Sequence, residues 1–210
     1  MLPAVILAAG DSTRMGSPKA ILTAPDGRSF VASIAHVLGV AGITDIVIVT
    51  GRDHDRVMEA LDRDAPPLRP RVVRNPDPSR GQLSSLWTGM DAALRPDTEG
   101  LLVTLVDVPL VSSATIRQVI DAWRGTRAPI VRPARGTQHG HPVIFDRALF
   151  DELRAAPAAA GAKVVVRAHA HEVIDVSVED IGALTDVDTP ADYAAICRRS
   201  PVQPEGDTPP

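Results

Sequence analysis

The chain is 210 residues long, 44% apolar and 23% charged, with a formal net charge of −4. That is enough apolar material for one sizeable core, and it excludes a chain disordered throughout or a collagen-like repeat. Three Phe, two Trp and one Tyr give little for single-stranded nucleic acid to stack on, and the negative charge argues against a broad phosphate-binding face.

Ala4-Val5-Ile6-Leu7-Ala8 is a continuous apolar run ended by glycine, the pattern of a strand covered on both faces. Residues 29–40 have helical periodicity and end near Gly42. Ile46 to Val49 is a second buried strand, followed by a helix over 53–63 and a proline-rich loop. Val72-Val73 reads as a short strand, 84–94 as a helix, and Leu101 to Val106 as a fourth strand ended by Asp107-Val108-Pro109. Ser112 or Ser113 caps a helix through Trp123. Strands follow at 129–132 and 142–145, helices at 150–153 and 158–167, and a strand at 173–176. Thr189 caps a last helix to Cys197. Buried strands alternating with helices predict an α/β fold, a three-layer sandwich whose sheet is mostly parallel. Residues 1–198 form one domain in this reading, and the proline-rich 199–210 a disordered tail.

The longest apolar run, 101–111, contains Asp107 and is too short to span a membrane, and the N-terminus lacks a charged leader. A single cysteine can make neither an internal disulfide nor a Cys-rich zinc site, which fits a reducing cytoplasm. Cys197 reads as a small core residue, and Trp87 and Trp123 as packing on helix faces.

In parallel sheets ligands bind at the carboxyl ends of the strands. Those ends carry the polar residues here: Gly10-Asp11-Ser12, Thr50-Gly51, Asn75-Pro76 and Asp107. The loop from Leu7 through Ala8, Ala9, Gly10, Ser12, Thr13, Arg14 and Met15-Gly16-Ser17-Pro18 to Lys19 is the most informative stretch. Small residues admit a ligand close to backbone, hydroxyls and N–H groups bind phosphate oxygens, and Arg14 and Lys19 supply a fork and a point charge. A Walker loop fails because Ser17-Pro18 follows Gly16, and a dinucleotide fingerprint fails because Gly10 and Gly16 are six apart. That removes a dinucleotide oxidoreductase from consideration. An ordinary glycine-containing βα loop is the competing reading. Asp107 at a strand end needs a partner, and an oxygen ligand for Mg2+ is one answer, a turn cap another.

The string Leu7-Ala8-Ala9-Gly10…Arg14-Met15-Gly16-Ser17-Pro18-Lys19 resembles the signature of nucleotidyltransferases with a GT-A-like fold, and within them most resembles the molybdenum cofactor cytidylyltransferase group. Asn75-Pro76, Gly81, Ser85-Leu86 and Gly89 resemble that family's base-enclosing loop, and Gly140-His141-Pro142-Val143-Ile144-Phe145 a segment of the cytidylyltransferase group. Thr185-Asp186-Val187-Asp188-Thr189-Pro190 resembles its C-terminal motif.

The resemblance implies transfer of a nucleoside monophosphate, with CTP the favoured donor and molybdopterin the leading phosphorylated small-molecule acceptor. Arg14, Lys19 and Asp107 are the implied catalytic residues. Leu7, Ala8, Ala9, Gly10, Ser12, Thr13, Asn75, Gly81 and Ser85 would contact the nucleotide, and His141 the acceptor. Asp107 with Asp186, or Asp188 as near alternative, would hold Mg2+, and residues 172–192, with seven acids and no Lys or Arg, surround them. The competing reading of that segment is a solvated edge with Asp188 or Thr189 as a helix cap. One departure stands out: the group's Gly-Asp-x-Gly-Ala-Arg is Ala159-Ala160-Gly161-Ala162-Lys163 here, which places the acceptor contacts in doubt. Other readings are a sugar 1-phosphate or other small-phosphate nucleotidyltransferase, and a non-catalytic nucleotide-binding accessory protein in transient contact with a molybdenum enzyme during its maturation.

Overall fold

The computed structural model describes residues 1–10, 12, 14–64 and 69–198. Thr13 and the expected tail at 199–210 therefore lie outside the described residues. The strands are β1 (Ala4–Ala8), β2 (Ile46–Thr50), β3 (Arg71–Arg74), β4 (Gly100–Leu105), β5 (Ile130–Arg135), β6 (Gln138–His139), β7 (Val143–Asp146) and β8 (Val173–Ser177). They form one sheet in the order β3-β2-β1-β4-β7-β5-β6, with β8 also paired to β5. β3, β2, β1 and β4 run parallel, as do β5 and β8.

The fully apolar pattern of the first strands is explained by a core on each sheet face. Ile6, Ile48 and Leu102 point to one side, while Val5, Val47 and Leu101 point to the other. Alternation of side chains along a strand produces this split. The first face packs α1 (Phe30–Val40), α2 (His54–Asp64) and α4 (Ser113–Thr126), and the second packs α3 (Gln82–Ala93), α5 (Phe150–Ala155) and α6 (Lys163–Ala168). The last helix, α7 (Pro190–Cys197), returns to the first face through Ile196 and Tyr193.

Local chemistry explains the boundaries. Ser112 caps α4 by accepting from Thr115 N at 3.2 Å. Thr189 and Asp192 form a reciprocal capping box at the start of α7, with Pro190 in the first turn. Gly89 lets α3 lie on the sheet: a Cβ there would stand 2.6 Å from Val5 Cγ1.

The three-layer α/β fold with a mostly parallel sheet is as expected, while the 158–167 helix and the burial of Cys197 need correction. The helix expected over 158–167 is broken, because Gly161 adopts φ 66°; a single turn at Ala158–Ala160 precedes it and α6 follows. β7 runs antiparallel to both β4 and β5, while the β3–β4 half and the β5–β8 pair are parallel. The two-residue β6 is too short to leave a sequence pattern. Cys197 is exposed, because its neighbour Ile196 takes the inward direction on α7. Trp123 is buried as expected, its Nε1 donating to Asp146 Oδ2 at 3.1 Å.

Candidate active site

Strand order places the site. From β1 the chain moves outward to β2 and β3, then returns to the other side of β1 as β4. Connections leave in opposite directions from β1 and β4, so a crevice opens beyond their carboxyl ends. The loop after Ala8 and the turn holding Asp107 both enter it. A cavity of about 330 Å3 lies there, lined by Leu7, Ala8, Ala9, Gly10, Ser12, Arg14, Lys19, Ser85, Asp107 and Asp188 among others.

The β1 loop is folded back on itself. Ser12 sits at φ 47°, its carbonyl accepts from Met15 N at 2.9 Å, and its Oγ accepts from Lys19 N at 3.1 Å. The hydroxyl expected on a phosphate thus also fixes the backbone of Lys19. Lys19 Nζ donates to Asp107 Oδ2 at 3.3 Å and to Asp188 Oδ1 at 2.5 Å. Arg14 Nη2 donates to Asp188 Oδ2 at 3.0 Å. Gly51 closes the wall between loops, since a Cβ there would lie 2.8 Å from Ala9 O and 3.0 Å from Pro78 Cγ.

The acidic segment divides by partner. Glu172 meets His169 at 2.9 Å, Asp175 meets Arg132 at 2.7 Å, and Glu179 meets Arg135 at 3.4 Å. Asp180 accepts from Ser112 N and Thr115 Oγ1 at 2.8 and 2.7 Å, and Asp192 belongs to the capping box. Asp186 and Asp188 remain for the site. Val187 N donates to Asp107 O at 2.8 Å, which docks this segment on the β4 turn with Val187 fully buried between the two acids.

The two carboxylates differ electrostatically. Hydrogen bonding from Lys19 holds Asp188 below the usual carboxylate range, with the charges of Lys19 and Arg14 adding to it. Partial burial pushes Asp186 up, reinforced by the negative charges of Asp107 and Asp188. Asp188 lines the first cavity, whereas Asp186 lines a second one beside it. Among the described residues no three acidic, His or Cys groups stand as a finished metal site. The donors nevertheless fit a hard divalent cation: Asp107 Oδ1 is buried without a hydrogen-bond partner, and Asp186 is repelled by Asp107 and Asp188, which Lys19 and Lys163 offset only in part. Lys19 Nζ occupies the space between Asp107 and Asp188 in this state.

The second loop differs from expectation. Asn75 is buried, its Nδ2 donating to Ser84 Oγ and Ser85 Oγ at 2.9 Å each and its Oδ1 accepting from Asp77 N at 3.0 Å. It positions Ser85, which does line the first cavity, and does not line that cavity itself. Gly81, at φ 109°, is packed on backbone: a Cβ there would stand 2.7 Å from Ala158 O. Its freedom serves that contact.

His141 lines the second cavity, of about 510 Å3. Burial holds its imidazole below the ordinary value, and its Nδ1 is buried without a partner. Gly140 permits this placement, since its Cβ would lie 2.0 Å from Ala183 O, the carbonyl that accepts from His141 N at 2.9 Å. Sequence reasoning did not single out Asp53, Pro78 and Gln82 in the first cavity, nor Lys163 and Arg167 in the second. For Lys163 a signal existed, its place in the one segment that departs from the family pattern.

The crevice beyond the parallel strands thus gathers Arg14 and Lys19 with Asp107 and Asp188, and Asp186 lies beside it, an arrangement compatible with a nucleotidyltransferase. The sequence model for the MobA-like NTP transferase domain matches residues 4–173, and the chain belongs to that family. It is 30% identical over 197 residues to a probable molybdenum cofactor guanylyltransferase of Mycobacterium marinum, covering 94% of each chain. It is 34% identical over 195 residues to nicotine blue oxidoreductase of Paenarthrobacter nicotinovorans, covering 88% of this chain and 91% of that one. The structure of Rv0371c from Mycobacterium tuberculosis, solved in complex with manganese, superposes with a TM-score of 0.73 at 28% identity, covering 94% of this chain and 98% of that one. The chain is thus a nucleotidyltransferase relative of the molybdenum cofactor guanylyltransferases. The expected cytidine preference finds no support in these names, of which that of the Mycobacterium marinum relative specifies guanylyl transfer. Among the described residues no helix is long and apolar enough to cross a membrane.

Proposed function

We propose that the chain transfers a nucleoside monophosphate from a nucleoside triphosphate to the terminal phosphate of a molybdopterin-type acceptor. The observation that carries this is the convergence of Arg14, Lys19, Asp107 and Asp188 in one crevice at the β1–β4 switch point. An acceptor phosphate oxygen bonds to the α-phosphorus while the α–β bridging bond breaks, and pyrophosphate leaves with that electron pair. A phosphate nucleophile is already ionised near neutral pH, so this chain needs no general base. Its work is positioning and charge neutralisation.

Arg14 and Lys19 hold the triphosphate and stabilise the leaving pyrophosphate. Lys19 exchanges Asp188 for phosphate oxygens as the nucleotide enters. Ala8, Ala9 and Gly10 let the nucleotide lie close to the loop, and Ser85, fixed by Asn75, faces it from the opposite wall. Asp107, Asp186 and Asp188 would hold the divalent cation, Mg2+ in this reading. When bound, such a cation neutralises charge on the phosphate oxygens.

Ala8-Ala9-Gly10 favours CTP, whereas the relatives' names favour GTP. Pyrophosphate release and product mass with molybdopterin and each triphosphate test the proposal. A nucleotide–molybdopterin product from CTP or GTP supports it, and the mass identifies the base; no adduct with any triphosphate overturns it. The similarity to a protein named as an oxidoreductase favours a second reading, nucleotide binding without transfer. Tight triphosphate binding with no pyrophosphate released would select that one.

A further inference from the structure

Of the 22 basic residues in the chain only two are lysines, Lys19 and Lys163, and each lines one of the two cavities of the crevice. Lys19 is the more enclosed group. Its side chain is 11% exposed, and its ammonium stands between Asp107 Oδ2 at 3.3 Å and Asp188 Oδ1 at 2.5 Å. The backbone around that ammonium is held on every side. Asp107 O accepts from Val187 N, and Asp188 N donates to Asp192 Oδ2 at 3.2 Å, beside the capping box of α7. Lys19 N donates to Ser12 Oγ, and Lys19 O accepts from Leu22 N at 3.1 Å. The movable part is the four-carbon stem of Lys19.

The ammonium answers these carboxylates incompletely. Asp107 Oδ2 has a donor, yet Asp107 Oδ1 is buried with none. One unit of positive charge faces two acids there, and Arg14 reaches Asp188 alone. A hard divalent ion would take carboxylate oxygens at about 2.0–2.1 Å. Bridging Asp107 and Asp188, it would stand against an ammonium of like sign, so the two compete for one place. We propose that Lys19 is a placeholder for the divalent ion: in the empty protein its ammonium keeps Asp107 and Asp188 together and the ion out, and the phosphate oxygens of the incoming nucleotide draw it away and clear the ion's place. Ion and triphosphate then favour each other's binding, and the coupling is equal in both directions. An empty molecule stays free of the ion and a nucleotide-loaded one takes it up. The inference rests on the nucleotidyl-transfer reading and deepens it by giving Lys19 a second task before the phosphates arrive.

Titration of Mn2+ alone into the full chain, with the free ion read by electron paramagnetic resonance and no nucleotide present, tests it without turnover. Lys19→Met removes the ammonium and keeps an unbranched stem, and it is expected to bind Mn2+ about 10-fold or more tightly than the wild type. Arg14→Met is the control for charge. Arg14 is 67% exposed and bonds to Asp188 from outside the gap, so its loss should improve Mn2+ binding by less than about 3-fold. A second measurement uses the unaltered protein. With two lysines in the chain, nitrogen-15 NMR resolves their ammonium groups, and Lys163→Gln assigns them. Inorganic tripolyphosphate without metal should move the Lys19 signal. The proposal is overturned by wild type binding Mn2+ as tightly as Lys19→Met, by no binding in either, by an equal gain in Arg14→Met, or by a Lys19 signal unmoved at saturating tripolyphosphate. The transfer reading fails by a different result: no nucleotide–molybdopterin adduct, even though Lys19→Met gains Mn2+.

Discussion

Replacing Lys19 with alanine should separate catalysis from folding. The side chain is 11% exposed and its ammonium stands 3.3 Å from Asp107 and 2.5 Å from Asp188. A unit-charge pair about 3 Å apart is attracted by about 1.4 kcal/mol in bulk water and about 5.5 kcal/mol at an effective dielectric constant near 20. The partner carboxylates are 24% and 34% exposed, and desolvation opposes the attraction. The net loss of stability is then about 1–2 kcal/mol. In a domain of this size that lowers the melting temperature by about 2–8 °C, leaving the chain folded at room temperature. Turnover should fall far more, by about 10²–10³, because a preorganised charge aimed at the developing pyrophosphate is lost. Pyrophosphate-release kinetics and a thermal melt on one preparation read both quantities. Wild-type turnover in the variant would refute the role given to Lys19. A variant unfolded at room temperature would refute the modest stabilising effect assigned to its ion pairs.

Asp107→Asn should cut turnover by about 10²–10³ with far-UV circular dichroism unchanged, and chelation of divalent ions should abolish turnover in the wild type reversibly. Gly81→Ala forces a Cβ toward Ala158 O at a positive φ, so it should cost about 1–3 kcal/mol by urea denaturation. Asn75→Ala removes three side-chain hydrogen bonds, two of them buried, and should cost about 1–3 kcal/mol while raising the KM for the triphosphate through the freed Ser85. Hydrogen bonds to Glu152 and Glu172 raise His169, so its contribution is complete below the unfolded pKa and is lost as pH rises through the higher folded one. The melting-temperature difference between wild type and His169→Gln should therefore be largest near pH 6 and shrink toward pH 8; a difference that grows with pH would contradict this.

The parallel half of the sheet is legible in the sequence because β1, β2 and β4 are covered on both faces and so read as unbroken apolar runs. The direction of β7 is not legible, since four apolar residues look the same either way along a strand. Gly161 interrupts an alanine-rich stretch whose composition favours helix, and only its positive φ reveals the break. In the site, Arg14, Lys19 and Asp107 announce themselves through the β1 string and the β4 terminus. The choice between Asp186 and Asp188 is not announced, because both lie in one short segment and both suit an oxygen-ligand role. Position decides their environments: Asp188 reaches the two cations, whereas Asp186 faces the second cavity. Asn75 and Gly81 stand in the motif expected of nucleotide contacts, yet their polar and conformational properties are spent on holding the loop.

The bond from Val187 to Asp107 and the pairing of Lys19 with Asp188 mean that the crevice is finished by a segment synthesised long after the loop it closes. Lys19 and Asp188 are 169 positions apart, so the β1 loop leaves the ribosome long before its closing carboxylate exists. Until then Lys19 has Asp107 as a partner, and the Asp188 carboxylate that also engages Arg14 is missing. The crevice thus matures late, and a fragment trimmed at residue 173, where the family match ends, would keep the loop and Asp107 and lose Asp186 and Asp188.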